Sequence, residues 1–228
     1  MKTGPARWEI ALAAVAFAVF GLVALSLAHS GSWAYLWIAP RGDATFYVPA
    51  DSPAAAATRV DSAALLRWHA GWSSYVTGLT EGPPLDAGPA TFTVDEYRHM
   101  ADVRYVFRGA EVAAVVALVT LAALALRARS RGVLPLLARS SALASAALVT
   151  LVAAFAAFAF EPLFLAFHEV LFPQGNFLFG PRSNLIALYP DEYWYGVTLR
   201  VALTFIAVAL AVALAAHLRV KRLGMLAT

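Results

Sequence analysis

Residues 10–28 read IALAAVAFAVFGLVALSLA, an unbroken apolar run with Glu9 at its edge. A helix rises about 1.5 Å per residue, so roughly 20 such residues cross a hydrocarbon core of about 30 Å. Three more apolar runs follow, at residues 112–126, 140–160 and 201–218. The second reaches a full crossing only if its helix begins near Arg104. Hydrophobic residues make up 61% of the 228 and charged residues 14%, where a soluble domain carries about 25% charged. The chain therefore reads as an all-α membrane protein with four transmembrane helices, over about residues 10–28, 104–126, 140–160 and 200–218. The first run exceeds the roughly 7–15-residue core of a cleavable signal, so it is expected to be a retained span.

Charge placement gives the expected orientation. Lys2 and Arg7 precede the first run, Arg127, Arg129, Arg131 and Arg139 lie between the second and third, and Arg219, Lys221 and Arg222 follow the fourth. Glu9 is the one acid in those segments. The other two loops hold Asp43, Asp51, Asp61, Glu81, Asp86, Asp95, Glu96, Asp191 and Glu192. Because positive loops stay in the cytoplasm, both termini are expected inside. A small extracytoplasmic α+β head would span residues 29–102, and an outer loop residues 161–198, within a single membrane domain of residues 1–228. The net charge of +3 then reports topology and not a nucleic-acid partner. With no cysteine, disulfides, thiolate metal sites and a cysteine acyl-enzyme are excluded.

Within the head, Thr45-Phe46-Tyr47-Val48 and Thr91-Phe92-Thr93-Val94 alternate and are expected to pair as strands. Between them Val60, Ala64, Trp68, Trp72, Tyr75 and Leu79 recur at helical spacing, with Asp61 or Ser62 as cap and Gly78 to Pro84 as the stop. Thr93 followed three residues later by Glu96 is a capping box. It predicts a helix that runs directly into the second span. Pro162 is expected to kink the third span. Tyr193, Trp194 and Tyr195 look like an interfacial aromatic belt before the fourth.

Of five histidines, His29, His69 and His217 read as exposed or interfacial. His99 and His168 both fall on spans near the outer end, with Glu96 and Asp102 beside one and Glu169 beside the other. Polar groups at such depth are costly and often functional. The plain alternative is two interfacial histidines held by local hydrogen bonds. Arg104, Arg108 and Glu111 pair or snorkel by the i,i+3 and i,i+4 rules, or contact a phosphate or carboxylate. Glu161, inside an apolar run, suggests a polar cavity or a partner. The chain has no Gly-rich phosphate loop, G-x-S-x-G elbow or HExxH helix. No metal or cofactor is expected.

The stretch Glu96-Tyr97-Arg98-His99-Met100-Ala101-Asp102-Val103-Arg104 resembles the E-x-x-H-M-x-D-V-basic signature of the lipoprotein intramolecular transacylase (Lit) family of bacterial membrane proteins. Phe160-Glu161 through Phe167-His168 to Phe172 resembles that family's second histidine motif. Gly175 to Phe179, Leu185-Ile186, Leu188-Tyr189-Pro190 and Phe46-Tyr47 also fit, over most of the chain and in order. The chain departs from the family at Gly180 and Asn184, where the family loop carries acids.

The resemblance implies a bacterial plasma-membrane acyltransferase, multi-pass and monomeric, with its active site at the outer face. Its partners would be diacylglyceryl-modified lipoproteins and membrane lipids. The sn-2 acyl chain of the diacylglyceryl cysteine would move to that cysteine's own α-amino group, giving a lyso-form lipoprotein. His99 and His168 would be catalytic, supported by Asp102, Glu161 and Arg104. Two competing readings remain open at this point. One is a four-helix bundle holding haem or quinone between the same two histidines; the other is a non-catalytic lipoprotein- or lipid-binding membrane protein.

Overall fold

The computed structural model describes residues 4–38, 43–86 and 88–224; Lys2, one of the basic residues used for orientation, lies outside them. In chain order the elements are α1 (Arg7–His29), α2 (Ser32–Ile38), β1 (Asp43–Val48), β2 (Ala56–Asp61), α3 (Ser62–Val76), α4 (Val94–Ser130), α5 (Leu134–Phe158), α6 (Phe160–Leu171), α7 (Asn184–Leu188) and α8 (Asp191–Arg222). Helices α1, α4, α5 and α8 are long and apolar enough to cross a membrane, matching the four expected spans. The chain divides into two compact units.

The first unit comprises Met1–Ser26, Ala110–Phe158 and Leu199–Thr228. In lipid no hydrophobic force draws helices together, so close approach through small residues does much of the work. Ala18, Ala146, Ala202 and Ala209 accordingly form a buried cluster with Val149 and Phe205. Gly21 is the tightest point: a Cβ there would lie 2.6 Å from the Phe205 ring. Ser145 Oγ crosses to the Ala14 carbonyl at 2.7 Å. Glu9, 1% exposed, accepts from the Ala6 amide at 2.9 Å, from Arg127 Nε at 2.8 Å, and from Arg131 Nη2 at 2.7 Å through both oxygens.

The second unit comprises Leu27–Gly109 and Ala159–Thr198. Its core is aromatic: Tyr35, Phe46, Trp72 and Phe92 are buried with Leu65, Met100 and Leu188. Such rings bury about 150–250 Å² each, and this is how a small unit acquires a core. Asp61 caps α3, accepting from the Ala64 amide at 2.8 Å, as its position before the helical repeat predicts. After α3 the chain turns through Gly78 at φ +74°, and the Arg108 guanidinium occupies the space a Cβ would need.

Three expectations fail here. β1 forms where the alternation places it, but its partner is β2, with Phe46 opposite Thr58, and not the Thr91 stretch. That stretch is spent on the start of α4: Thr93 Oγ1 caps the Glu96 amide, so Thr93 cannot serve as a strand residue. The third span does not continue through a proline kink. The helix ends at Phe158, Ala159 sits at φ −135°, and α6 starts afresh. Pro162 then lies in the first turn of α6, where a missing N–H costs nothing. His69 is neither exposed nor interfacial. It is 2% exposed, stacked on Tyr35 with ring centroids 4.3 Å apart, with Nδ1 3.1 Å from the Tyr189 hydroxyl. Burial pulls its pKa from 6.5 to about 4.

One buried side chain closes the hairpin. The Asn184 carboxamide accepts from the Tyr47 amide at 2.7 Å and donates to the Tyr47 carbonyl at 2.9 Å and the Thr91 carbonyl at 2.5 Å. Asn184, one of the two positions where the resemblance implies an acid, is thus a two-way backbone bridge that a carboxylate, lacking donors, cannot make.

Candidate active site

The two-turn rise from the capping box sets His99 in place. Thr93 and Glu96 satisfy each other's backbone amides, at 2.7 Å and 3.2 Å, which starts α4 at a fixed residue and puts His99 one turn past Glu96. Glu96 reaches further than a cap needs. Its Oε1 also accepts from Ser183 Oγ at 2.5 Å and from the Leu185 amide at 2.9 Å. A carboxylate only 1% exposed therefore pins the start of α4 to the start of α7. The capping box is visible in the sequence; the second half of this clasp carries no local signal.

His99 is 7% exposed, and its ring lies against Phe172 at 4.9 Å and Phe179 at 5.6 Å. The ring of His168, from α6, is 6.3 Å away and tilted by only 22°. His168 sits among Phe164 at 4.2 Å, Phe177 at 5.2 Å and Phe172 at 5.5 Å. The two imidazoles, 69 positions apart in the chain, thus share Phe172 and an aromatic enclosure. His168 Nδ1 lies 2.8 Å from the Phe164 carbonyl. A carbonyl only accepts, so Nδ1 carries the proton, and Nε2 alone is free to gain or lose one. His99 Nδ1 is buried with no hydrogen-bond partner.

The supporting residues fare differently. Asp102, one turn past His99, makes no hydrogen bond to that ring. Its Oδ2 accepts from Asn176 Nδ2 at 2.6 Å and Gln174 Nε2 at 3.0 Å. The turn at Gly175, φ +75°, brings both amides to it. Gln174 carries no signal in the sequence, and Asn176 only through the family likeness, because the pairing depends on the fold. Arg104 Nη1 donates to the carbonyls of Tyr75, Thr80 and Glu81 at 3.0, 2.8 and 3.2 Å, and its guanidinium lies 4.6 Å over the Tyr75 ring. It staples the end of α3. Glu161 is exposed on the first turn of α6. Among the described residues no three of His, Cys, Asp and Glu gather as metal ligands. A polar recess of about 490 Å³ lined by Asp43, Arg59, Asp61 and Arg67 contains neither histidine. It is an open surface hollow, apart from the aromatic surroundings of the two imidazoles.

None of the curated proteins matches the chain by sequence. The solved membrane-integral lipoprotein intramolecular transacylase Lit from Bacillus cereus superposes with a TM-score of 0.68, at 15% identity over 95% of this chain and 97% of that one. A histidine-to-arginine variant of the same Bacillus cereus protein gives 0.67 at 15% identity, over 96% and 93%. At that identity the likeness establishes the fold: a mostly helical membrane protein with a small two-stranded sheet. The family model for "Lipoprotein intramolecular transacylase Lit" matches residues 56–194, more than half the chain and the part that carries both histidine motifs. The chain belongs to the lipoprotein intramolecular transacylase family.

Proposed function

We propose that this membrane acyltransferase moves the sn-2 acyl chain of a diacylglyceryl-cysteine lipoprotein onto the α-amine of the same cysteine. The pair of near-parallel imidazoles 6.3 Å apart in an aromatic enclosure is the observation that carries it. Donor ester and acceptor amine belong to one molecule, so no enzyme nucleophile is needed. Holding them together is worth about 7–11 kcal/mol in effective-molarity terms. What the protein must add is proton transfer and charge stabilisation.

In this scheme the amine nitrogen attacks the ester carbonyl, the bond from that carbon to the sn-2 oxygen breaks, and the acyl carbon stays on nitrogen. His99 receives the proton the nitrogen sheds. His168 gives a proton from Nε2 to the departing glycerol oxygen. Its Nδ1–H bond to the Phe164 carbonyl holds in both protonation states, so the ring need not reorient. The proton then returns from one imidazole to the other. Phe172, Phe177 and Phe179 exclude water, which would otherwise hydrolyse the ester.

The site is read as facing outward, in a monomer of the bacterial plasma membrane. Supporting this, the basic segments flank the opposite helix ends and the acids fall in the loops around the histidines. Arg104 and Glu161 are assigned supporting roles outside the chemistry. Arg104 keeps the α3 end packed, and Glu161 lies on the exposed side of α6.

The test is expression in a host that makes only diacyl lipoproteins, followed by mass spectrometry of lipoprotein N-terminal peptides. We expect N-acyl, S-monoacylglyceryl cysteine, and a loss of about 10²–10⁴-fold in rate for His99→Ala and for His168→Ala. Unchanged acyl placement with well-expressed wild-type protein refutes the proposal.

A further inference from the structure

Asp102 is a carboxylate in an unusual setting. Both of its hydrogen bonds come from neutral carboxamides, Asn176 and Gln174, and both go to Oδ2. Gln174 also donates to Asn176 Oδ1 at 3.2 Å, so the two amides brace each other as well as the acid. Oδ1 of Asp102 has no hydrogen-bond partner among the described residues. The cations on the same helix are engaged elsewhere: Arg98 pairs with Asp95, and Arg104 with three carbonyls. Asp102 is thus fixed in position by neutral donors without being neutralised. It is half-buried, so its charge is only partly screened by solvent. One turn away lies the buried, unpartnered Nδ1 of His99.

A fixed carboxylate with one open oxygen, one helical turn from the imidazole of His99 and sharing Asn176 with it, is complementary to a small cation that carries several N–H groups. We propose that Asp102, braced by Gln174 and Asn176, docks a primary ammonium, and that this ammonium is the free α-amino terminus of the lipoprotein. The proposal rests on the acyl-transfer function above. It assigns the site a selectivity: chains with a free N-terminus are admitted, and chains already acylated on nitrogen, having neither the charge nor the hydrogens, are not. Docked at Asp102, the ammonium first gives one proton to solvent past the half-exposed carboxylate and becomes the attacking amine. The second proton, shed as the acyl bond forms, goes to His99 as in the scheme above.

Two non-transferable probes test this on the full-length protein in lipid nanodiscs. Both are dialkyl-ether analogues of a diacylglyceryl-cysteinyl peptide, one with a free α-amine and one N-acetylated. For wild-type protein at pH 7 we expect the free-amine probe to bind about tenfold more tightly or better, the scale of one charge-assisted hydrogen bond. In Asp102→Asn the preference should vanish while the N-acetylated probe binds as before, which also reports that the variant is folded. A second measurement needs no variant. Raising the pH to about 9.5, past the α-amine pKa of about 7.7–8.0, should erase the wild-type preference and leave the N-acetylated probe unaffected. A preference that survives in Asp102→Asn or at high pH, or no preference in the wild type, overturns the proposal. The ester form of the free-amine probe separates this from the function itself. Failure to transfer its acyl chain sinks the acyl-transfer reading even where the ammonium preference is found. Transfer with a preference indifferent to residue 102 sinks the docking site alone.

Discussion

Each of the two units buries one acid almost completely, and the two acids are used in opposite ways. Glu9, in the helical unit, is 1% exposed, yet its partners Arg127 and Arg131 keep 59% and 34% of their side-chain surface in solvent. Glu96, in the site-bearing unit, is equally buried, but its partners are the Thr93 and Leu185 amides and the Ser183 hydroxyl. The first ties helix ends together through charges that can be rehydrated. The second ties them through two backbone amides that have nowhere else to go, with the Ser183 hydroxyl beside them. A buried donor stripped of its acceptor carries its full desolvation cost, whereas an exposed one recovers it from water. The contrast places rigidity where His99 must be held and leaves the bundle on more forgiving contacts.

Removing Glu96 should therefore have the largest effect. Glu96→Ala strands three donors, at about 1–3 kcal/mol each, and we expect a stability loss of about 3–5 kcal/mol. Thermal unfolding in detergent measures it; a Tm within a degree or two of wild type would mean the clasp is dispensable. Next comes acidification. The unfolded chain protonates His69 near 6.5, while the folded chain refuses the proton until about 4. Stability is therefore full above about pH 6.5 and falls as the pH drops towards 4, by at most about 3 kcal/mol. His69→Phe, which keeps an aromatic ring against Tyr35, should flatten that pH dependence in the same melts. The smallest effect is expected for Glu9→Ala, whose arginines turn to water. A Tm loss as large as that of Glu96→Ala would erase the distinction between the two units.

Much of this was legible in the residues. Four apolar runs specify four spans because a helix satisfies its whole backbone within one segment, and each run is long enough to cross as one. The Thr93–Glu96 box and the Asp61 cap are readable because capping is local. Where the sequence misled, a local signal had two outlets. Thr91 to Val94 alternates like a strand, but Thr93 is claimed by the helix start. Pro162 marks a disruption, but it falls inside a new first turn, after the break at Ala159. His69 resembles a surface histidine because nothing nearby announces the tyrosines that stack on it. At the site, the family motif singled out His99 and His168; their separation was beyond spacing arguments. Asp102 was expected to support the two histidines, and its bonds to Gln174 and Asn176 arise only when α4 meets the turn at Gly175.

The Asn184 carboxamide has a consequence for how this protein meets other chains. A two-stranded ribbon ordinarily offers open rims, and an open rim invites a neighbour's strand to lie along it. At Tyr47 the invitation is already taken, because one amide side chain supplies the donor and acceptor that an intruding strand would bring. On that flank the ribbon ends at two strands, and a neighbouring polypeptide is kept from zipping onto it there.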